Sequence, residues 1–548
     1  MENEVQTADQ LIPNSIEKRK KSLSKFLTSW IKDSHDWLFL LILLCALILR
    51  IIIYTKTQDQ AIWWDAADYL ASAKRWAGLN PHMIDIWYYR RGFLWALIGA
   101  SIFKMGLGEL TLRALIVFFS TGIVFLSYFL IKEMFNKRLA ILVSIASSMS
   151  WIYIFFSGRP LTNIPATFFL LAATLFFWKG YVKKQGNKFI YLFGLFFALT
   201  CLVRMQYAMF AFPFLVMVFT REKFRFLKNK HLWSAVLIFI IIFIPQFIMH
   251  TQHFGNPVFD ILNYYFGVEG ISASGEVGGV GDSSKLLVYF TNLPYILDAN
   301  QAGYSSLFVL SPIFILFVIG FFMFFADLFL GFDKIFSNKI VQKKLFILSW
   351  IVSAFIVLGR IAPHLEQRYI MQTLPFLYLI AMYPSTFIYS ALKDNKKIKP
   401  IVITIILSAV VIFLFIPNYN FGHNLIESKK ASFIEVKQAG EWIKTNSKPE
   451  DIVITASMPQ NSYYSERPTY NFYLAPRRDM ERKNASQFYE FIEEKKPKYL
   501  VISAYEQPAH SIYTWATNYP QDFPDRVTPV RVFSQGEQPI LIIYAFNY

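Results

Sequence analysis

Charged residues and cysteine are scarce in this 548-residue sequence, and nucleotide-binding motifs are absent from it. Charged residues make up 17% of the chain, whereas a soluble protein of ordinary composition has about a quarter. The two cysteines, Cys45 and Cys201, both lie inside apolar runs, where a thiol is more often a small core residue than half of a disulfide or metal pair. The sequence contains no Walker loop, dinucleotide fingerprint or zinc-ligand spacing. That lack argues against ATP-driven transport and against a soluble nucleotide-sugar enzyme.

Long apolar runs are abundant, with hydrophobic residues at 55% of the chain and a mean hydropathy of +0.37. A helix needs about 20 apolar residues to cross the hydrocarbon core of a bilayer. Runs of this kind begin near Trp37, Leu110, Leu139, Ile164, Phe189, Tyr207, Leu232, Ser305, Leu345, Tyr369 and Ile401. The sequence therefore predicts a mostly α-helical, polytopic membrane bundle of about eleven spans.

The net charge of +17 has the pattern of a membrane protein rather than of a nucleic-acid-binding protein. The Lys and Arg residues form short clusters in alternating gaps between the apolar runs, and such clusters stay on the cytoplasmic side. This orientation predicts a basic cytoplasmic leader at residues 1–36, a multi-pass domain at 37–417 and a first external loop at 55–109. With an odd number of spans, residues 418–548 are expected outside, and the protein is expected in the cell (plasma) membrane.

The C-terminal part is polar, and no span fits there. A helical spacing of apolar and small residues is present at Phe433, Val436, Gly440 and Ile443. Short β-like runs follow at residues 452–454, 499–502, 530–533 and 540–544. Helix-like stretches separate some of these runs, so a small external α/β domain is predicted.

The first predicted external loop carries two carboxylates beside aromatic residues, in the order Trp63-Trp64-Asp65-Ala66-Ala67-Asp68-Tyr69. A helix from about Ala66 to Ala77 would be amphipathic and would lie along the membrane surface, with Asp65 at its start. A carboxylate at that position is favoured by the helix N-terminus and could be only an N-cap. Ionisable groups at membrane depth are costly and tend to be paired or functional, so a catalytic carboxylate is the alternative.

This loop resembles the first external loop of GT-C glycosyltransferases. The closest resemblance is to the family of dolichyl-phosphate-mannose protein mannosyltransferases and lipid A aminoarabinose transferases (glycosyltransferase family 39-like). In that family an Asp-Glu pair follows the first span. Asp65 matches the catalytic Asp, Asp68 and Tyr69 match the acidic-Tyr step that follows, and Ala66 replaces the usual Glu. The resemblance implies that Asp65 is the catalytic base, with Asp68 as a candidate second acidic residue and Tyr69 in support.

Further segments resemble the same family in the same order along the chain. Residues 158–165 resemble a segment between the third and fourth spans in which the family usually has an Asp where Asn163 stands. An amide can orient a hydroxyl group but cannot take a proton, so Asn163 is a candidate polar residue rather than a base. The segment around Arg204 resembles a Thr-Arg-Tyr-like step, and residues 366–369 resemble an Arg-Tyr signature that precedes a proline.

The resemblance implies transfer of a sugar, with inversion, from a polyprenyl-phosphate donor to a protein, lipid or glycan acceptor at the outer membrane face. A positioned base contributes roughly 10²–10⁴-fold to such a reaction, and the departing phosphate needs cationic donors, for which the planar fork of Arg is suited. The candidates for binding the donor phosphate are Arg204, Arg368 and Arg159, with Glu366 and Tyr369 in support. No cofactor is indicated; a divalent metal is compatible with the pattern, but no metal ligands are assigned.

Several alternatives stay open at this stage. Arg368 could form only a structural ion pair with Glu366. Arg90 and Arg91 are further outer-side candidates for the phosphate, but contact with lipid headgroups is the favoured role for them. A secondary transporter would place its substrate near the bilayer midplane and often shows repeats, whereas no repeat is visible here. A catalytically inactive family member that acts as a scaffold is also open, because Ala66 and Asn163 depart from the family pattern.

Overall fold

The computed structural model describes residues 33–258, 286–297, 312–361, 366–393, 398–477, 480–506 and 512–548. The predicted leader, residues 1–36, and the start of the span predicted near Ser305 lie largely outside the described residues. The membrane bundle and its loops contain helices α1 (Ser34–Thr57), α2 (Trp64–Trp76), α3 (Leu94–Lys104), α4 (Glu109–Met134), α5 (Lys137–Met149), α6 (Trp151–Phe156), α7 (Asn163–Phe177), α8 (Asn187–Val203), α9 (Ala211–Glu222), α10 (Lys230–Phe254), α11 (Val288–Thr291), α12 (Leu293–Leu297), α13 (Pro312–Leu330), α14 (Lys339–Ile361), α15 (Leu374–Met382), α16 (Ser385–Lys393) and α17 (Pro400–Lys429).

Seven helical segments of the described residues are long and apolar enough to cross a membrane, if α7 is counted with the π-helical turn Trp178–Val182 that continues it. The number is eight if the bent pair Gln367–Met382 and Ser385–Lys393 is one span. These eight coincide with eight of the apolar runs that predicted about eleven spans. The runs near Leu139, Phe189 and Tyr207 also form helices, but these are shorter or broken. The polytopic bundle is therefore as predicted, with fewer uninterrupted spans.

Two breaks account for most of this difference. At Ser150, between α5 and α6, the backbone turns out of the helical region with ψ at 122°. The N–H group of Trp151 then donates to Asn418 Oδ1 at 3.1 Å, which satisfies a donor that the break deprives of its helical partner. At Arg204, the residue after α8, the backbone is extended with φ −150° and ψ 97°. A short 3₁₀ turn, Met205–Phe210, leads on into α9.

Close approach between helices depends on glycine at two positions in the bundle. A Cβ atom on Gly194 of α8 would collide with the backbone of Ala235 in α10, and one on Gly320 of α13 would collide with the backbone of Ile380 in α15. Lipid offers no hydrophobic drive between helices, so close van der Waals packing at small residues is a main source of their association.

The C-terminal unit is a five-stranded mixed sheet with helices on it. Its strands are β1 (Val453–Thr455), β2 (Thr469–Tyr470), β3 (Tyr499–Ser503), β4 (Val527–Gln535) and β5 (Gln538–Phe546), in the order β2-β1-β3-β5-β4. β1 is parallel to β2 and β3, whereas β5 is antiparallel to β3 and β4. The four β-like runs seen in the sequence all form strands. β2 was missed, because two residues carry no period-2 pattern to detect.

Helices cover this sheet and connect it to the bundle. They are α18 (Ile434–Asn446), α19 (Met458–Ser465), α20 (Ala485–Lys495), α21 (Thr514–Thr517) and α22 (Tyr519–Asp522). α18 buries Val436, Ala439, Gly440 and Ile443, which include three of the residues whose spacing predicted it. α17 continues without interruption past residue 418, the first residue of the predicted external domain. α19 packs against α2 in the first predicted external loop.

Candidate active site

The amphipathic helix predicted in the first loop is α2, and Asp65 lies in its first turn. The N-cap residue is Trp63, and no side chain forms a cap hydrogen bond there, so Asp65 is not the cap. Small residues on the buried face of α2, among them Ala66 and Ala73, let α3 pack closely against it. Ala73 is the nearest neighbour of Gly99 in α3, where a Cβ atom would lie 2.9 Å away. The absence of a cap hydrogen bond means that Asp65 is not explained as the N-cap of α2.

Asp65 joins two arginines that come from distant parts of the chain. Nη2 of Arg368 donates to Asp65 Oδ2 at 2.6 Å, and Nη2 of Arg91 lies 3.4 Å from Asp65 Oδ1. Nη1 of Arg91 also pairs with Asp68 Oδ2 at 3.0 Å, and Nη2 of Arg368 donates to Glu366 Oε1 at 2.8 Å. The ion pair of Arg368 with Glu366 is present, as the structural alternative predicted, but the same guanidinium also holds Asp65.

These groups surround one cavity of about 120 Å³. It is lined by Asp65, Tyr69, Tyr88, Arg90, Arg91, Gly92, Leu161, Thr162, Asn163, Arg204, Met205, Gln206, Arg368 and Tyr369. Six of the residues singled out from the sequence are in this set, namely Asp65, Tyr69, Asn163, Arg204, Arg368 and Tyr369. Asp68 and Glu366 are not in the set, but each pairs with an arginine that is.

Arg90 and Arg91, for which the sequence favoured contact with lipid headgroups over contact with the donor phosphate, belong to the candidate site. Both line the cavity; Arg91 pairs with the two carboxylates of α2, and Arg90 lies 5.2 Å from the ring centre of Phe254. Burial alone would lower the pKa of Arg91, but nearby Tyr69, Asp68 and Asp65 raise it, so the guanidinium stays charged. Two adjacent arginines after an aromatic pair, Tyr88 and Tyr89, are the signal that the sequence offers for this part of the site.

Arg204 is placed differently from Arg91 and Arg368, because no carboxylate of the described residues pairs with it. Its Nη1 donates to Thr162 Oγ1 at 3.3 Å, and its guanidinium lies 5.1 Å from the ring centre of Tyr369. Its buried Nε has no hydrogen-bond partner among the described residues. A buried donor without a partner is costly unless a ligand supplies the acceptor.

Asn163 is the first residue of α7 and is only 1% exposed. Its Nδ2 donates to the backbone oxygen of Arg368 at 3.1 Å, which identifies the nitrogen of the amide. Its Oδ1 accepts no hydrogen bond from any described residue. Asn163 therefore supports the backbone of one arginine of the site and keeps a spare acceptor in the cavity wall.

Arg159, the third candidate for the donor phosphate, is not among the residues that line the cavity. Its guanidinium lies between two rings, 3.6 Å from the centre of Trp63 and 3.7 Å from that of Phe155. The side chain is buried, and none of its nitrogens has a hydrogen-bond partner in the described part of the chain. Burial, together with the neighbouring charges of Arg113 and Arg368, holds the pKa of Arg159 well below its usual range.

The site thus contains a carboxylate, several guanidinium groups and an amide oxygen around a small cavity. Such a set binds an anion next to a group that can accept a proton. Within the described ranges no three His, Cys, Asp or Glu side chains are grouped so that they could hold a metal ion.

Residues 92–249 match the family model described as dolichyl-phosphate-mannose-protein mannosyltransferase. The structure is similar to ArnT from Cupriavidus metallidurans bound to undecaprenyl phosphate, with a TM-score of 0.57 and 12% identity over 93% of this chain and 98% of that one. It is also similar to the Archaeoglobus fulgidus oligosaccharyltransferase in the apo form, with a TM-score of 0.56 and 14% identity over 90% of this chain and 72% of that one.

A further similar structure is that of the Archaeoglobus fulgidus oligosaccharyltransferase AglB in complex with an inhibitory peptide and a dolichol-phosphate. Its TM-score is 0.55, with 12% identity over 94% of this chain and 75% of that one. No curated protein matches the sequence. At these identities the structural likeness establishes the fold alone.

The family match over residues 92–249 and the shared fold together confirm the predicted resemblance to the GT-C membrane glycosyltransferases. The chain is accordingly a multi-pass membrane protein. The segment that matches the family model contains Asn163 and Arg204 but neither Asp65 nor Arg368. Tertiary structure alone brings the two halves of the cavity together.

Proposed function

We propose that this chain transfers a sugar from a polyprenyl-phosphate donor to an acceptor, with inversion at the anomeric carbon and with Asp65 as the general base. The observation that carries the proposal is the meeting of Asp65 with Arg204 and Arg368 on one cavity. These residues come from three separate segments of the bundle, and the pair Asp65–Arg368 is 303 positions apart in the sequence.

The donor phosphate is proposed to bind Arg204 and Arg368. Arg204 carries a charge that no described carboxylate compensates, and Arg368 presents a planar fork that matches phosphate oxygens. The undecaprenyl phosphate and dolichol-phosphate in two of the similar structures support a lipid phosphate as the ligand class. Arg91 lines the same cavity as Arg204 and Arg368 and adds a further positive charge.

The proposed reaction is a single displacement. The acceptor's hydroxyl or amide group gives its proton to the carboxylate of Asp65, and its oxygen or nitrogen forms a bond to the anomeric carbon of the donor. The bond between that carbon and the phosphate oxygen breaks, and its electron pair leaves with the phosphate. Guanidinium groups of Arg204 and Arg368 stabilise the charge that develops on the phosphate oxygens. Attack from the face opposite the phosphate inverts the anomeric centre.

The site is proposed to face outside the cell, with the N-terminus in the cytoplasm and the C-terminal unit external. Positive-inside orientation of the basic clusters supports this topology. The acceptor is proposed to be a protein, lipid or glycan that reaches the cavity from the side of the C-terminal unit, because α19 of that unit packs on the helix that carries Asp65.

Two features favour an enzyme, the first over the scaffold alternative and the second over the transporter alternative. A scaffold needs no orphaned polar groups in its interior, whereas Arg204 Nε and Asn163 Oδ1 are buried beside the cavity without a described partner. A transporter would be expected to place its polar residues near the middle of the spans. Here the cavity lies where α7 begins and α8 ends, at one end of the bundle.

The test is transfer by the purified protein in lipid, with a panel of polyprenyl-phosphate sugars that carry a label on the sugar. Asp65→Asn is expected to abolish transfer, because an amide cannot take the acceptor's proton, while binding of polyprenyl phosphate persists. Asp525→Asn, an exposed carboxylate in the C-terminal unit, is the matched control and is expected to keep full activity. Undiminished transfer by Asp65→Asn overturns the role of Asp65, and no release of sugar from any donor overturns the proposed function.

A further inference from the structure

The segment that leads into α2 is held by the C-terminal unit at Ile62, through both backbone polar groups of that residue. The backbone N–H of Ile62 donates to Tyr464 Oη at 2.7 Å, and Nε2 of Gln460 donates to the backbone oxygen of Ile62 at 3.0 Å. Gln460 and Tyr464 are four residues apart in α19, so their side chains lie on the same face of that helix. Both the backbone N–H and the backbone C=O of Ile62 are therefore hydrogen-bonded to side chains of one short helix, α19.

These hydrogen bonds are enclosed. Ile62 is 1% exposed, Gln460 is fully buried and Tyr464 is 6% exposed. Ile62 belongs to no helix or strand, so its N–H and C=O form no hydrogen bond of regular secondary structure. A buried backbone group without a partner is strongly disfavoured, so the pairing with α19 determines where Ile62 lies.

Ile62 lies immediately before the residues that start the catalytic helix. The backbone oxygen of Trp63 accepts the first hydrogen bond of α2, from Ala67 at 2.8 Å, and Asp65 lies within that first turn. On the other side of Ile62, Nη2 of Arg113 donates to the oxygen of Gln60 at 2.6 Å. A shift of Ile62 would therefore displace the chain on the side of Asp65, because Gln60, two residues before Ile62, is held by a buried arginine.

The same helix also holds the far end of α2. Lys74, in the last turn of α2, donates to the backbone oxygen of Tyr463 and to Glu466, both at 2.8 Å. The Tyr463 hydroxyl in turn donates to Glu109 at the start of α4, at 3.1 Å. α19 is therefore bound both to α2 and to the bundle, and it can transmit a fixed position from one to the other.

We infer that α19 of the C-terminal unit is part of the catalytic apparatus, in which Tyr464 and Gln460 act as positioning residues that set the place of Asp65 through the backbone of Ile62. This inference rests on the proposed function. It assigns to the C-terminal unit a role in the chemical step, in addition to any contact with the acceptor. Arg204 and Arg368 lie on other elements, so loosening this contact is expected to spare the donor site.

The test is a split between kcat and donor KM. Tyr464→Phe removes the acceptor oxygen and keeps the ring that packs beside Tyr463. Gln460→Met removes the amide and keeps the length of the side chain. Each is expected to lower kcat on the order of ten- to a hundredfold, because a misplacement of about 1 Å at a reacting group has an effect of that size. Donor KM and binding of polyprenyl phosphate are expected to stay within about twofold of the unmodified protein.

Tyr499→Phe is the matched control, since the Tyr499 hydroxyl donates to the backbone oxygen of Asn446 within the same unit and not to the segment that leads into α2. Thermal unfolding of all three variants shows how much stability each loses. A fall in kcat for Tyr464→Phe and Gln460→Met that is no greater than that for Tyr499→Phe overturns the inference. The proposed function fails separately, through an unmodified protein that transfers no sugar or an Asp65→Asn variant that still does.

Discussion

Nη2 of Arg368 lies 2.6 Å from Oδ2 of Asp65, across 303 positions of sequence. The carboxylate comes from a short helix after the first span, and the guanidinium comes from a 3₁₀ turn just before α15. In the proposed reaction Asp65 takes the proton of the acceptor, and Arg368 binds the donor phosphate. The phosphate therefore competes with Asp65 for the same guanidinium group. The pair is therefore the point at which donor binding can act on the base.

Arg368→Lys is expected to keep the positive charge but to lose the planar fork that holds Asp65 and Glu366 together. An ammonium group is a point charge with freely rotating donors, so neither carboxylate nor phosphate is oriented as before. We expect kcat to fall by about 10²-fold, with a smaller rise in donor KM. The measurement is steady-state transfer in lipid. Arg531→Lys, in strand β4, is the control, and equal activity of the two variants would contradict the assignment.

Arg204→Gln tests the arginine that has no described carboxylate partner. Removing one preorganised donor at a developing charge typically lowers kcat on the order of 10²–10³-fold. Binding of polyprenyl phosphate alone should also weaken, because Arg204 would contact the ligand before and during reaction. Competition by unlabelled polyprenyl phosphate measures this directly. An unchanged inhibition constant would place the phosphate elsewhere in the cavity.

Gly92→Ala tests the close approach of the arginine-bearing loop to α8. A Cβ atom at Gly92 would collide with the backbone of Leu202 and lie 2.9 Å from the oxygen of Cys201. Backbone cannot rotate away as a side chain can, so the loop with Arg90 and Arg91 must shift. Transfer is expected to fall at least about tenfold. Gly108→Ala is the control, because a Cβ atom there meets nothing within 4 Å.

Glu506 makes the stability of the C-terminal unit depend on pH. Its carboxyl group is buried, has no hydrogen-bond partner among the described residues, and burial raises its pKa to about 8. The unfolded chain ionises this group near its ordinary pKa of about 4.3, whereas the folded chain keeps it neutral up to about pH 8. The burial of Glu506 therefore costs no stability through ionisation below about pH 4.3, and the stability that this group takes from the folded state grows progressively as the pH rises to about 8.

Glu506→Gln should remove this dependence, since the amide stays neutral at every pH. At pH 8 the variant is expected to be more stable than the unmodified protein by a few kcal/mol at most, on the order of what a shift of several pKa units allows. Thermal unfolding at pH 5 and pH 8 makes the comparison. A parallel fall in the unfolding temperature of both proteins over this range would contradict the buried, neutral state of Glu506.

Local pattern accounts for the parts of the structure that the sequence predicted well. The apolar runs became helices because lipid forces every backbone group to pair within its own segment. The four longer strands were visible as β-like runs, and α2 was visible from the spacing of small and aromatic residues after Trp64. Where the pattern was too short, as for the two residues of β2, nothing local marked the element.

Part of the candidate site was predicted from the sequence. Asp65, Arg204 and Arg368 stood out because charged residues are rare in this sequence, and a resemblance to GT-C glycosyltransferases selected them. Arg91 was favoured for lipid headgroups but lines the cavity, and Arg159 was expected to bind the donor phosphate but is not among the residues that line it. Both outcomes depend on which way a long side chain points, and the sequence near an arginine does not specify that direction.

The sequence by itself determined that this chain is a membrane protein. It also determined the approximate positions of the long helices and the few charged groups at their ends, since all of these follow from composition and spacing. Only the tertiary structure decided that Asp65 pairs with Arg368 and Arg91, that Arg204 has no described carboxylate partner, and that α19 holds Ile62. Such contacts join residues hundreds of positions apart, and they are fixed by how whole helices pack rather than by any local preference of the chain.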